Sequence, residues 1–145
     1  MEVSRAPVSL PLVNYCVLQF PINFSVNANA TTQLIFGQIY HDSVTPDTGS
    51  DARVFASLGY GPANTNPITH PNDWIFTPTT YNTSYGNNDE YMATVTAPSI
   101  PGTYRFVYRF SINGIASKTY CDSDGNGSNP GLSFGDDKMG TMRGN

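Results

Sequence analysis

PGTYRFVYRFSI, residues 101–112, carries the clearest structural instruction in the chain. Side chains alternate across a strand with a period of two. Tyr104, Phe106, Tyr108 and Phe110 therefore share one face, and Arg105, Val107 and Arg109 share the other. A helix would scatter those aromatics around its axis, whereas a strand aligns them for burial against a second layer. Pro101-Gly102 turns the chain into this strand. Asn113-Gly114 turns it out again, a pair suited to a tight hairpin leading into residues 117–121.

Outward from that strand, the same alternation recurs in short pieces. Residues 13–20 form a strand that Pro21 breaks, and residues 22–26 continue it on the other sheet. Residues 32–40 place Leu34, Phe36 and Tyr40 on one face and Ile35, Gly37 and Ile39 on the other. Residues 53–60 align Val54, Ala56, Leu58 and Tyr60. Residues 61–73 read as a long proline-bearing loop, 74–76 as a short strand, and 82–89 as a polar loop. Residues 90–96 align Tyr91, Ala93 and Val95, and residues 139–143 suit a closing strand. Seven to eight short strands with regular turns predict an all-β fold, an antiparallel β-sandwich. Residues 1–12 read as an extended tail or linker and 13–145 as a single sandwich domain.

Composition narrows the function. Charged residues make up 12% of the chain and hydrophobic residues 39%, so the low charge does not signal disorder. A net charge of −4 with scattered basic residues argues against nucleic acid, which needs a basic stripe to displace counterions. No apolar run approaches the roughly 20 residues of a membrane span. The N-terminal residues lack the order of a secretory signal. The two cysteines, Cys16 and Cys121, are either buried thiols or a bridge. A bridge would close a loop long enough to stabilise by roughly 4–5 kcal/mol, and would require an oxidising compartment.

Several motifs occur in order: YCVLQFP at 15–21, GQIY at 37–40, LGYGP at 58–62, NNDEY at 87–91, PGTYRFVYRFS at 101–111 and TYCDSDGNG at 119–127. Pro-Gly-Thr-Tyr at 101–104 matches the tyrosine corner of immunoglobulin-like sandwiches, in which the phenol caps a backbone turn. Together the motifs resemble the immunoglobulin-like accessory modules appended to secreted bacterial enzymes, among them amylase- and pullulanase-type proteins and extracellular nucleases. The resemblance covers the chain from residue 14 onward. It implies an extracellular or cell-surface, non-catalytic sandwich with its two cysteines joined, and a role in carbohydrate binding or in spacing.

The acid-rich loop supplies Asp122, Asp124 and Asn126 at alternating positions, the first half of a calcium-binding loop. Ser133 stands where an EF-hand needs glutamate, so calcium would have to be held in a looser site. The alternative is a turn satisfied by its own hydrogen bonds. Asp89 and Glu90 are adjacent and point to opposite faces of a strand, which is wrong for a paired-carboxylate catalytic site. No nucleophile or phosphate-binding motif is present, and enzymatic activity is not expected.

Sugar rings stack their C–H faces on aromatics and bond to neighbouring amides. Trp74, Tyr60, Tyr81 and Tyr85, beside Asn82 and Asn87, form a candidate glycan platform. Trp74 reads equally as the core tryptophan between the sheets. Two functional readings result: a module that binds a glucan-type polysaccharide or cell-surface glycan, and an assembly subunit that self-associates through its N-terminal tail.

Overall fold

The computed structural model describes residues 13–113, 118–123 and 138–145. The N-terminal tail of residues 1–12 lies outside them, as do residues 114–117 and 124–137. Ten strands occur among the described residues. They are β1 (Tyr15–Phe20), β2 (Asn23–Val26), β3 (Ile35–Tyr40), β4 (Val54–Pro62) and β5 (Ile75–Pro78). β6 (Thr80–Tyr85), β7 (Asn88–Ala93), β8 (Gly102–Ile112), β9 (Thr119–Cys121) and β10 (Gly140–Gly144) follow. Pro71–Asp73 forms a single 3-10 turn, and among the described residues no helix is long and apolar enough to cross a membrane.

The strands form two packed sheets. The first runs β1-β3-β7-β6, and the second runs β2-β10-β8-β4-β5 with β9 also paired to β8. Every pairing is antiparallel except that of β2 with β10. This is the strand order of an immunoglobulin-like sandwich, with the opening strand shared between sheets. The chain leaves the first sheet at the cis Phe20–Pro21 peptide and joins the second as β2, the switch that Pro21 predicts. The long strand β8 lies centrally, with Phe106, Tyr108 and Phe110 at 1% exposure or less in the core. Opposite them pack Leu18, Ile35, Ile39 and Tyr91. Tyr108 reaches across the sandwich and donates its hydroxyl to Ile35 O at 2.6 Å and Tyr91 O at 3.3 Å. Tyr104 closes the tyrosine corner, donating to Ile100 O at 2.6 Å.

Two features depart from the sequence reading. The segment 82–89 is no polar loop: it lies in the hairpin of β6 and β7, which register Tyr85 against Asn88. Threonine and tyrosine favour extended backbone, and pairing with β7 outweighs the turn tendency of the asparagines. The last strand is also divided, which helps raise the count from seven or eight to ten. β9 and β10 lie along the same edge of β8, Cys121 opposite Tyr108 and Gly140 opposite Phe106. The chain therefore leaves this edge after Cys121 and is back on it at Gly140, and between the two Ser123 N donates to Lys138 O at 2.8 Å. On the other side of β8, Asn113 has φ 60°, the left-handed backbone that the hairpin signal requires.

A disulfide joins Cys16 to Cys121, linking β1 of the first sheet to β9 of the second. Both cysteines are fully buried. Leu18 N donates to Asp122 O at 2.9 Å just beyond, so a covalent and a hydrogen-bonded tie seal the same edge.

Candidate ligand-binding face

Strand alternation spends the inner side chains on the core and leaves two outer faces available for recognition. On the first sheet, Phe36 and Gln38 of β3 and Glu90 and Met92 of β7 point outward, opposite in parity to the buried Ile35, Ile39 and Tyr91. A trough of about 310 Å³ crosses this face, lined by Gln19, Phe20, Phe36, Asn82, Tyr85 and Glu90. Phe20 and Tyr85 are 59% and 56% exposed, so their ring faces are free for contact.

Its polar groups are held in place. The register between β6 and β7 shifts between Tyr81 and Thr83, and the irregularity falls at Asn82. Asn82 Nδ2 donates to Glu90 Oε1 at 2.7 Å. Glu90 itself is only 4% exposed. One row away, Asn88 Nδ2 donates to Gln38 Oε1 at 3.2 Å. Exposed rings flanking amide and carboxylate groups suit a neutral ligand with an apolar ring face and a hydroxylated rim.

Asp89 points the other way, as the strand period requires. It accepts from Ser84 Oγ at 3.1 Å, and Ser84 is bonded in turn to the Tyr81 hydroxyl at 2.7 Å. Its Oδ2 has no hydrogen-bond partner among the described residues. Burial pushes the carboxyl up to about 6, with the Ser84 bond pulling down and the Asp51 charge adding to the rise.

The remaining candidate residues do not converge on this trough. Trp74 is neither an exposed stacking surface nor the tryptophan between the sheets. It is 6% exposed, in a small separate cluster with Val107 and Met139 on the outer face of the second sheet. Its Nε1 donates to Thr65 Oγ1 at 2.9 Å, and its ring stacks beside Phe76. Tyr60 is half-buried against the main core. Tyr81 is half-buried edge-on to Tyr91. Asn87 is exposed in the β6–β7 turn, where its carbonyl accepts from Thr45 Oγ1 at 2.7 Å. Asn82 and Tyr85 alone of that set meet in the trough.

Of the proposed calcium ligands, Asp124 and Asn126 lie outside the described residues. Asp122 is fully buried beside the disulfide. Among the described residues, no group of three or more His, Cys, Asp or Glu is arranged to hold a metal. The sequence reading missed Phe20, Phe36 and Glu90 as site residues. Alternation along β3 separated Phe36 from Ile35 and Ile39, but which of the two faces is buried is decided only by the packing.

The fold and this face define a β-sandwich with an aromatic-and-amide outer surface. No protein-family model matches the chain, and no curated protein sequence matches it.

Proposed function

We propose that the chain is a non-catalytic, extracellular module that binds a glucan-type polysaccharide on the outer face of its first sheet. The carrying observation is the trough itself, where exposed Phe20 and Tyr85 flank the fixed Asn82–Glu90 pair. Ring stacking on Tyr85 supplies affinity, and the Asn82 amide and Glu90 carboxylate read hydroxyl positions. The buried disulfide supports placement in an oxidising compartment, as does the resemblance to accessory modules of secreted enzymes.

Trp74 is buried, so its fluorescence is a poor reporter for this face. Titration calorimetry with a panel of soluble glucans is the direct test. Binding is expected to weaken about tenfold or more in Tyr85→Ala, with the loss of one stacking ring. The same affinity in Tyr85→Ala and Phe20→Ala, or no binding by any glucan, would remove this reading.

A further inference from the structure

The outer face of the second sheet has a chemistry of its own. Its strands carry Arg105, Arg109 and Arg143 and no aspartate or glutamate. The acidic residues found in strands, Asp89 and Glu90, both belong to the first sheet. In a chain of net charge −4, the strands of this sheet are therefore basic. On it lies a groove of about 430 Å³ lined by Phe55, Ser57, Phe76, Arg109, Ser111 and Lys118, among others.

Arg109 is fixed inside this groove. Its guanidinium carbon stands 3.6 Å from the centre of the Phe76 ring, a cation–π stack. Its Nε donates to Ser57 Oγ at 3.3 Å. A guanidinium has five donor hydrogens in a planar fork, so the terminal nitrogens keep an edge available for a planar acceptor. Among the described residues, no carboxylate lies within ion-pair distance of Arg109 or Lys118. Phe55, at 54% exposure, offers an open apolar surface beside them.

We propose that this groove is a second binding site, selective for an acidic polysaccharide built from uronic acids. A uronate brings together what the groove presents separately. Its carboxylate matches the Arg109 fork, its C–H face matches the Phe55 ring, and its hydroxyls match Ser57 and Ser111. Lys118 meets the charge of an adjoining sugar. A lone inorganic anion would leave the apolar lining unused. Single-stranded nucleic acid is disfavoured because its backbone needs a run of cations, and Arg105 is committed elsewhere, donating to the carbonyls of Gly140 and Met139. The site shares no residue with the trough on the first sheet, so each stands or falls separately.

The test is titration calorimetry of the full chain with a soluble oligogalacturonate, its methyl ester and a single-stranded oligonucleotide. Circular dichroism confirms that each variant folds. Binding of the oligogalacturonate is expected to weaken about tenfold in Arg109→Gln and in Lys118→Gln, to fall with added salt, and to be unchanged in Tyr85→Ala. Should Arg109→Gln fail to fold, the exposed Phe55→Ala and Lys118→Gln variants carry the test. The inference is overturned by the absence of binding, by equal binding of the methyl ester, or by wild-type affinity in both surface variants. Tighter binding of the oligonucleotide overturns it as well.

Discussion

Removing the Cys16–Cys121 bridge tests how far this sandwich depends on an oxidising surrounding. The cysteines are 105 residues apart in a chain of 145, so the bridge closes most of the unfolded chain into a loop. Loop-closure entropy for that span corresponds to about 4.8 kcal/mol. The native state loses little geometry in return, because β1 keeps its register with β3 and Leu18 N keeps its bond to Asp122 O. Truncating two fully buried sulfurs to alanine adds a cavity cost of about 1–2 kcal/mol. The reduced wild type keeps its sulfurs and so isolates the entropy contribution. Urea unfolding of oxidised protein, reduced protein and the Cys16→Ala/Cys121→Ala variant separates the two. The expected loss is about 3–5 kcal/mol on reduction and slightly more in the variant. The urea dependence should steepen, since an uncrosslinked chain exposes more surface on unfolding. A domain with roughly 5 kcal/mol in hand, the low end of the usual range, would be left marginal or unfolded in a reducing compartment. A loss below about 1 kcal/mol with no change in slope would refute the reasoning and remove the main structural support for an extracellular setting.

Two further predictions concern single buried groups. In Asp89 the folded-state carboxyl is raised to about 6 from an ordinary 3.8, so between those values the folded state binds more protons than the unfolded. Stability should therefore fall as pH rises from about 4 to about 6. Asp89→Asn, which cannot ionise, should gain on wild type by about 1–3 kcal/mol across that window. Parallel urea midpoints for the two proteins over that range would refute this. Tyr108→Phe should cost about 1–3 kcal/mol, because it withdraws a fully buried hydroxyl from Ile35 O and Tyr91 O. An unchanged melting temperature would show that the phenol contributes no cross-sheet tie.

The sandwich was legible because each strand face could be read from a period of two. Val54, Ala56, Leu58 and Tyr60 share a parity, and so do Ile35, Gly37 and Ile39, and the structure turns both sets inward. Pro21 marked the sheet switch, and Tyr104 the corner. What stayed hidden depended on contacts between distant residues. Nothing local in 82–89 distinguishes a polar loop from strands whose partners lie across a hairpin. The division of the last strand depends on where residues 119–121 and 140–144 meet β8, which no local pattern encodes. The candidate site was read from aromatics near loops, and that rule placed Trp74 wrongly. A ring next to a loop is exposed only if the sheet beneath it is already filled.

The sheet beneath Trp74 is bare. A Cβ at Gly61 would stand 2.5 Å from the Trp74 ring, and one at Gly59 would stand 2.4 Å from Phe76. Both glycines face outward on β4, alternating with the inward Leu58 and Tyr60. Their missing side chains let Trp74 and Phe76 lie flat against the strand, where any larger residue would push the rings into solvent. Phe76, held flat, becomes the surface on which the Arg109 guanidinium rests. The stack of Gly59, Phe76 and Arg109 thus fixes a cation whose stem would otherwise be mobile, and the ordering entropy is met in folding rather than on binding. A groove whose aromatic wall rests flat on Gly59 and whose charge is oriented by that ring is preorganised. That ordering, more than the exposure of any one residue, makes the second sheet's outer face a place to look for a ligand.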